Sequence, residues 1–222
     1  MVTKPSPPAD VPRKLDRAGR LCLAFANTTA AHLDYRSPNR VTSTPPVLGS
    51  YRDLVEWSRR MGALEHGDAE RLTMTATEQP EEAAAVFQRA LRLRDSLLRI
   101  FTTVAMREPA APEDLDVLNG AVKTALAARR IVQDPSFRWT WDDGPKLDRM
   151  LWPIALCASN LLFSADLDKV RQCAAKLCTR LFVGRARRRW CDMNTCGSRP
   201  KGKRHYEKNS DRRLRYQPVG YY

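Results

Sequence analysis

Apolar residues change their spacing several times along the chain, and each spacing predicts an element. Leu54, Trp57, Met61 and Leu64 recur at three- and four-residue intervals, which predicts an amphipathic helix over residues 51–64. Ser50 stands before it as N-cap, with Asp53 three residues on. A weaker helix is predicted over 67–78. The longest continuous face is made by Val86, Phe87, Ala90, Leu93, Leu97, Ile100 and Phe101. It predicts a helix over 81–106, opened by two glutamates that favour a helix N-terminus and closed by Pro109 and Pro112. A further helix is expected over 113–128 despite Gly120. Residues 129–141, RRIVQDPSFRWTW, carry β-branched and aromatic residues about a DP turn and predict a hairpin. Residues 146–164 predict a last, strongly apolar helix bent by Pro153. RLCLAFAN at 20–27 is apolar but too short for its pattern to separate helix from strand. Residues 33–49 hold three prolines among Ser, Thr and Asn, and predict a loop. No internal repeat is visible.

Composition adds a division of the chain. The 222 residues are 43% hydrophobic and 28% charged, a globular balance with room for one or two domains. No apolar run approaches the ~18–20 residues of a membrane span. The first residues, MVTKPSPPADVPRKLDRAGR, lack the apolar core of a secretory signal, and 1–17 are expected to form a disordered arm. Net charge is +13, and it is unevenly placed. Between Lys169 and Arg215 there are 16 Lys and Arg against Asp192, Glu207 and Asp211, so the rest of the chain is neutral. Such a block marks a polyanion-binding module or a solvated basic tail.

The same block contains four of the six cysteines, Cys173, Cys178, Cys191 and Cys196, in the pattern C-x4-C-x12-C-x4-C. Cys22 and Cys157 sit apart in apolar contexts and read as small buried hydrophobes. In the reducing cytoplasm expected for a chain without a signal, paired cysteines bind metal more often than they form disulfides. Four thiolates in a hydrophilic segment point to a closed, structural Zn2+ site. Residues five apart in a helix lie ~140° apart around its axis, so each pair needs a knuckle. VRQC is expected to run as a strand into the first knuckle. LFVGRARRRW, with Gly184 at its centre, is expected to form a hairpin returning to Cys191, and the second knuckle to lead into a basic helix. The expected fold is thus mainly α with a small hairpin. A helical N-terminal domain, 18–165, precedes a small zinc-finger module of knuckle, hairpin, knuckle and helix at 169–210, with a tail at 211–222.

RRWCDMNTCGSRPKGKRHYEK resembles the C-terminal zinc finger of the bacterial CGNR family, which has a W-C-x4-C-G-N-R core and a following basic helix. RLCLAFANT, YRDLVEWSRRMGAL and LRLRDSLLRIF resemble the ABATE domain that precedes this finger. The resemblance covers roughly residues 18–208. It implies a stress-induced transcription regulator whose finger binds zinc and DNA and whose ABATE domain holds a small ligand. The chain departs from the pattern at four places. Ser198 replaces the signature asparagine, Ala24 replaces an acidic residue, the segment between the cysteine pairs is shorter, and Pro200 and Gly202 enter the basic helix. Proline within a helix costs ~3 kcal/mol and glycine ~1. The helix is therefore expected over about 199–209 with Ser198 as N-cap, suited to phosphate contacts more than to reading base edges.

Two functions from different classes follow. In the first the protein is a zinc-dependent DNA-binding transcription regulator with a helical sensor domain, with a homodimer as one expected form. Arg185, Arg187, Arg188, Arg189, Arg199, Lys201, Lys203, Arg204 and Lys208 would contact phosphates. In the second it is a ligand-binding protein or biosynthetic enzyme with its site in the N-terminal domain, the zinc finger being retained as a structural element. Candidates there are Asn27, His32, Arg94, Asn119 and Trp139, polar or aromatic residues in apolar segments. Each also has an ordinary reading: Asn27 caps the first element, Arg94 pairs near Asp95, Asn119 bonds a loop, Trp139 packs in a hairpin and His32 is exposed. No P-loop, dinucleotide fingerprint, H-E-x-x-H or serine elbow is present. RNA is the weaker nucleic-acid reading, because the basic stretch has little aromatic interleaving, with Trp190 and Tyr206 set among its arginines and lysines.

Overall fold

The computed structural model describes residues 20–29, 32–33, 41–42 and 48–197, apart from 143, 145, 177, 186, 194 and 195. The predicted arm and tail lie outside these residues, as does the predicted helix over 199–209. Among the described residues there are six α-helices and three two-stranded antiparallel pairs. No described helix is long and apolar enough to cross a membrane.

The ambiguous apolar stretch is helix α1 (Arg20–Ala26). Leu21, Cys22, Leu23, Phe25 and Ala26 are all buried. A helix buried on every side shows no polar face, which is why its period could not be read. Within the stretch predicted as a loop, the described residues form a short ladder of β1 (His32–Leu33) with β2 (Val41–Thr42).

Helix α2 (Tyr51–Arg60) has the expected cap: the Ser50 hydroxyl accepts from the Asp53 N–H at 3.2 Å and donates to the Asp53 carboxylate at 2.9 Å. The helix stops four residues earlier than predicted. Gly62 takes a left-handed φ of 71° and donates to Arg59 O, while the Ala63 N–H donates to Ser58 O. These are the two bonds of a Schellman motif, and Leu64 reaches the core from beyond it.

Helices α3 (His66–Glu78), α4 (Pro80–Met106) and α5 (Pro112–Ala127) follow the predicted spans closely. Pro80 and Pro112 open their helices, where the missing N–H has no intrahelical partner. Helix α4 is the spine: α1, α2, α3 and α5 all pack on it. The hairpin is β3 (Arg129–Gln133) with β4 (Phe137–Trp141), in the register Ile131 opposite Trp139. Helix α6 (Leu151–Leu162) begins later than expected and is almost wholly buried. Pro153 is its third residue, so it lies in the first turn, where no intrahelical donor is lost and no bend is required.

The largest correction is in the C-terminal module. Strand β5 (Val170–Gln172) does lead into Cys173, but its partner is β6 (Leu181–Val183), with Gln172 opposite Leu181. The hairpin therefore encloses the first cysteine pair, and no hairpin turns about Gly184. The Gly184 N–H continues the ladder to Lys169 O at 3.0 Å. A Cβ there would stand 2.6 Å from the Phe182 ring. Glycine is needed at this position for a close approach, and a turn plays no part. Val170 and Leu181 belong to the same buried cluster as α1, α4 and α6, so the module grows out of the helical core.

Candidate metal centre

The β5–β6 hairpin and the segment after it bring all four cysteines together. The Cys173 N–H donates to Arg180 O and the Cys178 N–H to Ala175 O, both at 2.9 Å, which turns CAAKLC into a knuckle at the hairpin end. The segment leading back to Cys191 is pinned by the Ala174 N–H to Arg189 O at 2.9 Å. At the second knuckle the N–H groups of Cys196 and Gly197 both donate to Asp192 O, at 3.1 and 3.0 Å. A Cβ on Gly197 would meet the Met193 Sδ at 2.9 Å and its Cα at 3.1 Å, so the glycine after Cys196 is dictated by close packing.

The four sulfurs all lie within 4.8 Å of one another. Cys178 Sγ stands 3.8 Å from Cys191 Sγ, and Cys191 Sγ 3.7 Å from Cys196 Sγ. A regular tetrahedron with Zn–S bonds of 2.3 Å has edges of about 3.8 Å, so the spacing suits Zn2+. Cys173, Cys178 and Cys196 are buried, beside Phe182 and Trp190. The Cys191 N–H points at Cys173 Sγ, 3.5 Å away, and so stabilises negative charge on that sulfur. The Cys191 thiol holds Cys178 down to about 5, while that same contact and burial push Cys191 up. Loading a metal would release the remaining protons. Four sulfur ligands close the coordination shell, so the chemistry available to such a site is structural.

The basic residues divide. Arg185, Arg187, Arg188 and Arg189 are all exposed beside the metal centre. Arg188 also makes backbone ties: its guanidinium donates to Trp190 O at 3.0 Å and to Cys191 O, and lies 4.9 Å over the Phe182 ring. Arg199, Lys201, Lys203, Arg204 and Lys208 lie outside the described residues.

The candidate ligand residues whose side chains are described have separate surroundings. Asn27 is 6% exposed and forms a bond pair with the backbone N–H and C=O of one residue. Its Nδ2 donates to Leu181 O and its Oδ1 accepts from Leu181 N–H, both at 2.8 Å. It thereby imitates an extra strand on the free edge of β6 and stitches α1 to the zinc module. Nothing in the local sequence shows this, because the partner is 154 residues away. Arg94 pairs with Asp95 at 2.9 Å. Asn119 is exposed on α5, and His32 opens β1. Trp139 lines a cleft of the helical domain.

Two family models match the chain. Residues 19–165 match ABATE, described as "Putative stress-induced transcription regulator", and residues 169–209 match the CGNR zinc finger. No curated protein matches the sequence. With the first model spanning more than half of the chain and the second lying over the four-sulfur cluster, the protein belongs to the ABATE family and carries a CGNR zinc finger.

Proposed function

We propose that the protein is a zinc-dependent, DNA-binding transcription regulator of a reducing cytoplasm. The helical domain, 18–165, senses an effector, and the finger, 169–210, contacts DNA. The observation that supports this most is the row of exposed arginines, Arg185, Arg187 and Arg189, held on a metal-ready scaffold within the block that carries the whole net charge. Cationic side chains on such a scaffold neutralise phosphates, and the released counterions make binding salt-dependent.

The test is fluorescence anisotropy of zinc-loaded protein on labelled duplex DNA at increasing salt. Between about four and eight phosphate contacts give a log–log slope of roughly −4 to −7. Arg187→Ala is expected to reduce the slope by about one, whatever the DNA sequence. Zinc-loaded protein that binds no duplex at low salt refutes the reading.

A second reading makes the finger a structural element of a ligand-binding protein or enzyme. It is favoured by the Asn27–Leu181 lock and by the backbone ties of Arg188, which use finger groups for cohesion. Intact zinc content with no DNA binding would support it.

A further inference from the structure

A cleft of about 380 Å³ opens between the α2–α3 turn, the β3–β4 hairpin and the first turn of α6, on the helical domain. Four guanidiniums line it, from Arg71, Arg129, Arg138 and Arg149, against only two carboxylates, from Glu65 and Asp68. Arg138 also pairs with the Asp134 carboxylate at 3.6 Å, so four guanidiniums face three carboxylates and the cleft stays net positive in a space the size of a small-molecule site. Asp68 is buried at its base and sets two of these cations in place. One carboxylate oxygen bonds Arg71, and the other lies 3.2 Å from Arg149 Nε. Arg149 is anchored again by Nη1 on Asp142 O at 2.9 Å. A guanidinium has five N–H donors, and this arrangement orients two of them with donors to spare.

One wall is flat and aromatic. Trp139 and Trp141 alternate on β4, and the Arg129 guanidinium stacks over both, 4.8 Å and 5.7 Å from the ring centroids. Trp141 is backed by the buried Trp152 at 5.4 Å, so the wall is braced from the core. Trp139 keeps 36% of its surface accessible. The Schellman turn at Gly62 and Ala63 closes the far side with small residues and leaves the space open.

We propose that this cleft binds a small planar aromatic anion. Its ring stacks on the Trp139–Arg129 wall, and its carboxylate or phosphate is held by Arg138, Arg149 and Arg71. A bare anion leaves the aromatic wall unused, and a neutral ring leaves the excess charge uncompensated. The site goes beyond the DNA-binding reading and does not depend on it, so each fails separately.

The test is calorimetric titration of the zinc-loaded full chain with 2-naphthoate, in parallel with 2-naphthalenemethanol and with inorganic phosphate. One saturable site for 2-naphthoate is expected, with the neutral alcohol and phosphate each at least about tenfold weaker. Arg138→Ala and Trp139→Ala are each expected to weaken 2-naphthoate about tenfold while zinc content and helical circular dichroism stay unchanged. Arg138 lies on the exposed rim, so it keeps the test decisive if Trp139→Ala misfolds. Absent binding, binding indifferent to Arg138→Ala, or phosphate binding as tight as 2-naphthoate would each overturn the proposal. So would an Arg138→Ala protein that loses duplex DNA affinity but keeps 2-naphthoate, because the cleft would then serve nucleic acid.

Discussion

At the scale of single residues, the most consequential side chain is Asn27. Its amide satisfies both backbone polar groups of Leu181 inside the protein. Alanine there orphans a buried donor and a buried acceptor, at about 1–3 kcal/mol each before relaxation. Asn27→Ala is expected to lower unfolding stability by about 2–4 kcal/mol in urea titrations and to hasten zinc loss to a chelator. Asn27→Asp keeps the acceptor for the Leu181 N–H but sets a carboxylate against Leu181 O, so it should not rescue the loss. Asp114 gives a pH signature. It is 3% exposed, and Arg99 donates to both its carboxylate oxygens, at 3.0 and 2.9 Å. The Arg99 bonds, helped by Ser96, hold its pKa below the ordinary value of 3.8 against the opposing effect of burial. A lowered folded pKa means the stabilisation is full above the ordinary value and disappears as pH falls through the lowered one. Asp114→Asn is therefore expected to cost about 1–3 kcal/mol at neutral pH, with the gap to the native chain narrowing below pH 3.8. An equal gap at both pH values would refute that role.

At the scale of elements, local signals worked where caps and faces agreed. The Ser50–Asp53 box and the α4 face were legible because each is decided within a few residues. The expectation of a hairpin about Gly184 was wrong, because glycine has two uses that look alike in a sequence. One is a turn; the other is room for a neighbour. Here Phe182 and Arg188 Cβ fill the space that a side chain would take. Gly184→Ala is accordingly expected to destabilise the β5–β6 hairpin by about 1–3 kcal/mol. It should show as faster zinc release with little change in the hydrogen exchange of α4. The same ambiguity applies to Pro153, read as a bend but found in the first turn of α6. The difference there is only where the helix starts.

At the scale of the whole molecule, the metal centre and the helical domain share structure. Val170 and Leu181 sit in the main core, and α4 packs against both β5 and β6. Removing zinc should therefore do more than loosen a terminal module. Chelation of the loaded protein is expected to lower the melting temperature of the helical signal itself. Metal affinity should also fall on acidification, as protons compete for the four thiolates. A helical transition indifferent to chelation would mean that the two parts unfold independently. The sequence by itself determined the helices with one apolar face, the concentration of charge in the last quarter, and the four cysteines as a zinc set. Those features depend on residue type and near-neighbour spacing, which a linear reading contains. Only the tertiary structure decided that β5 pairs with β6 around the first knuckle, that Asn27 binds the Leu181 backbone, and that Asp68, Trp139 and Arg149 meet across one cleft. In each case the partners are far apart along the chain or identical in local pattern to an alternative. Burial in a shared core, which no short window of sequence contains, selects between them.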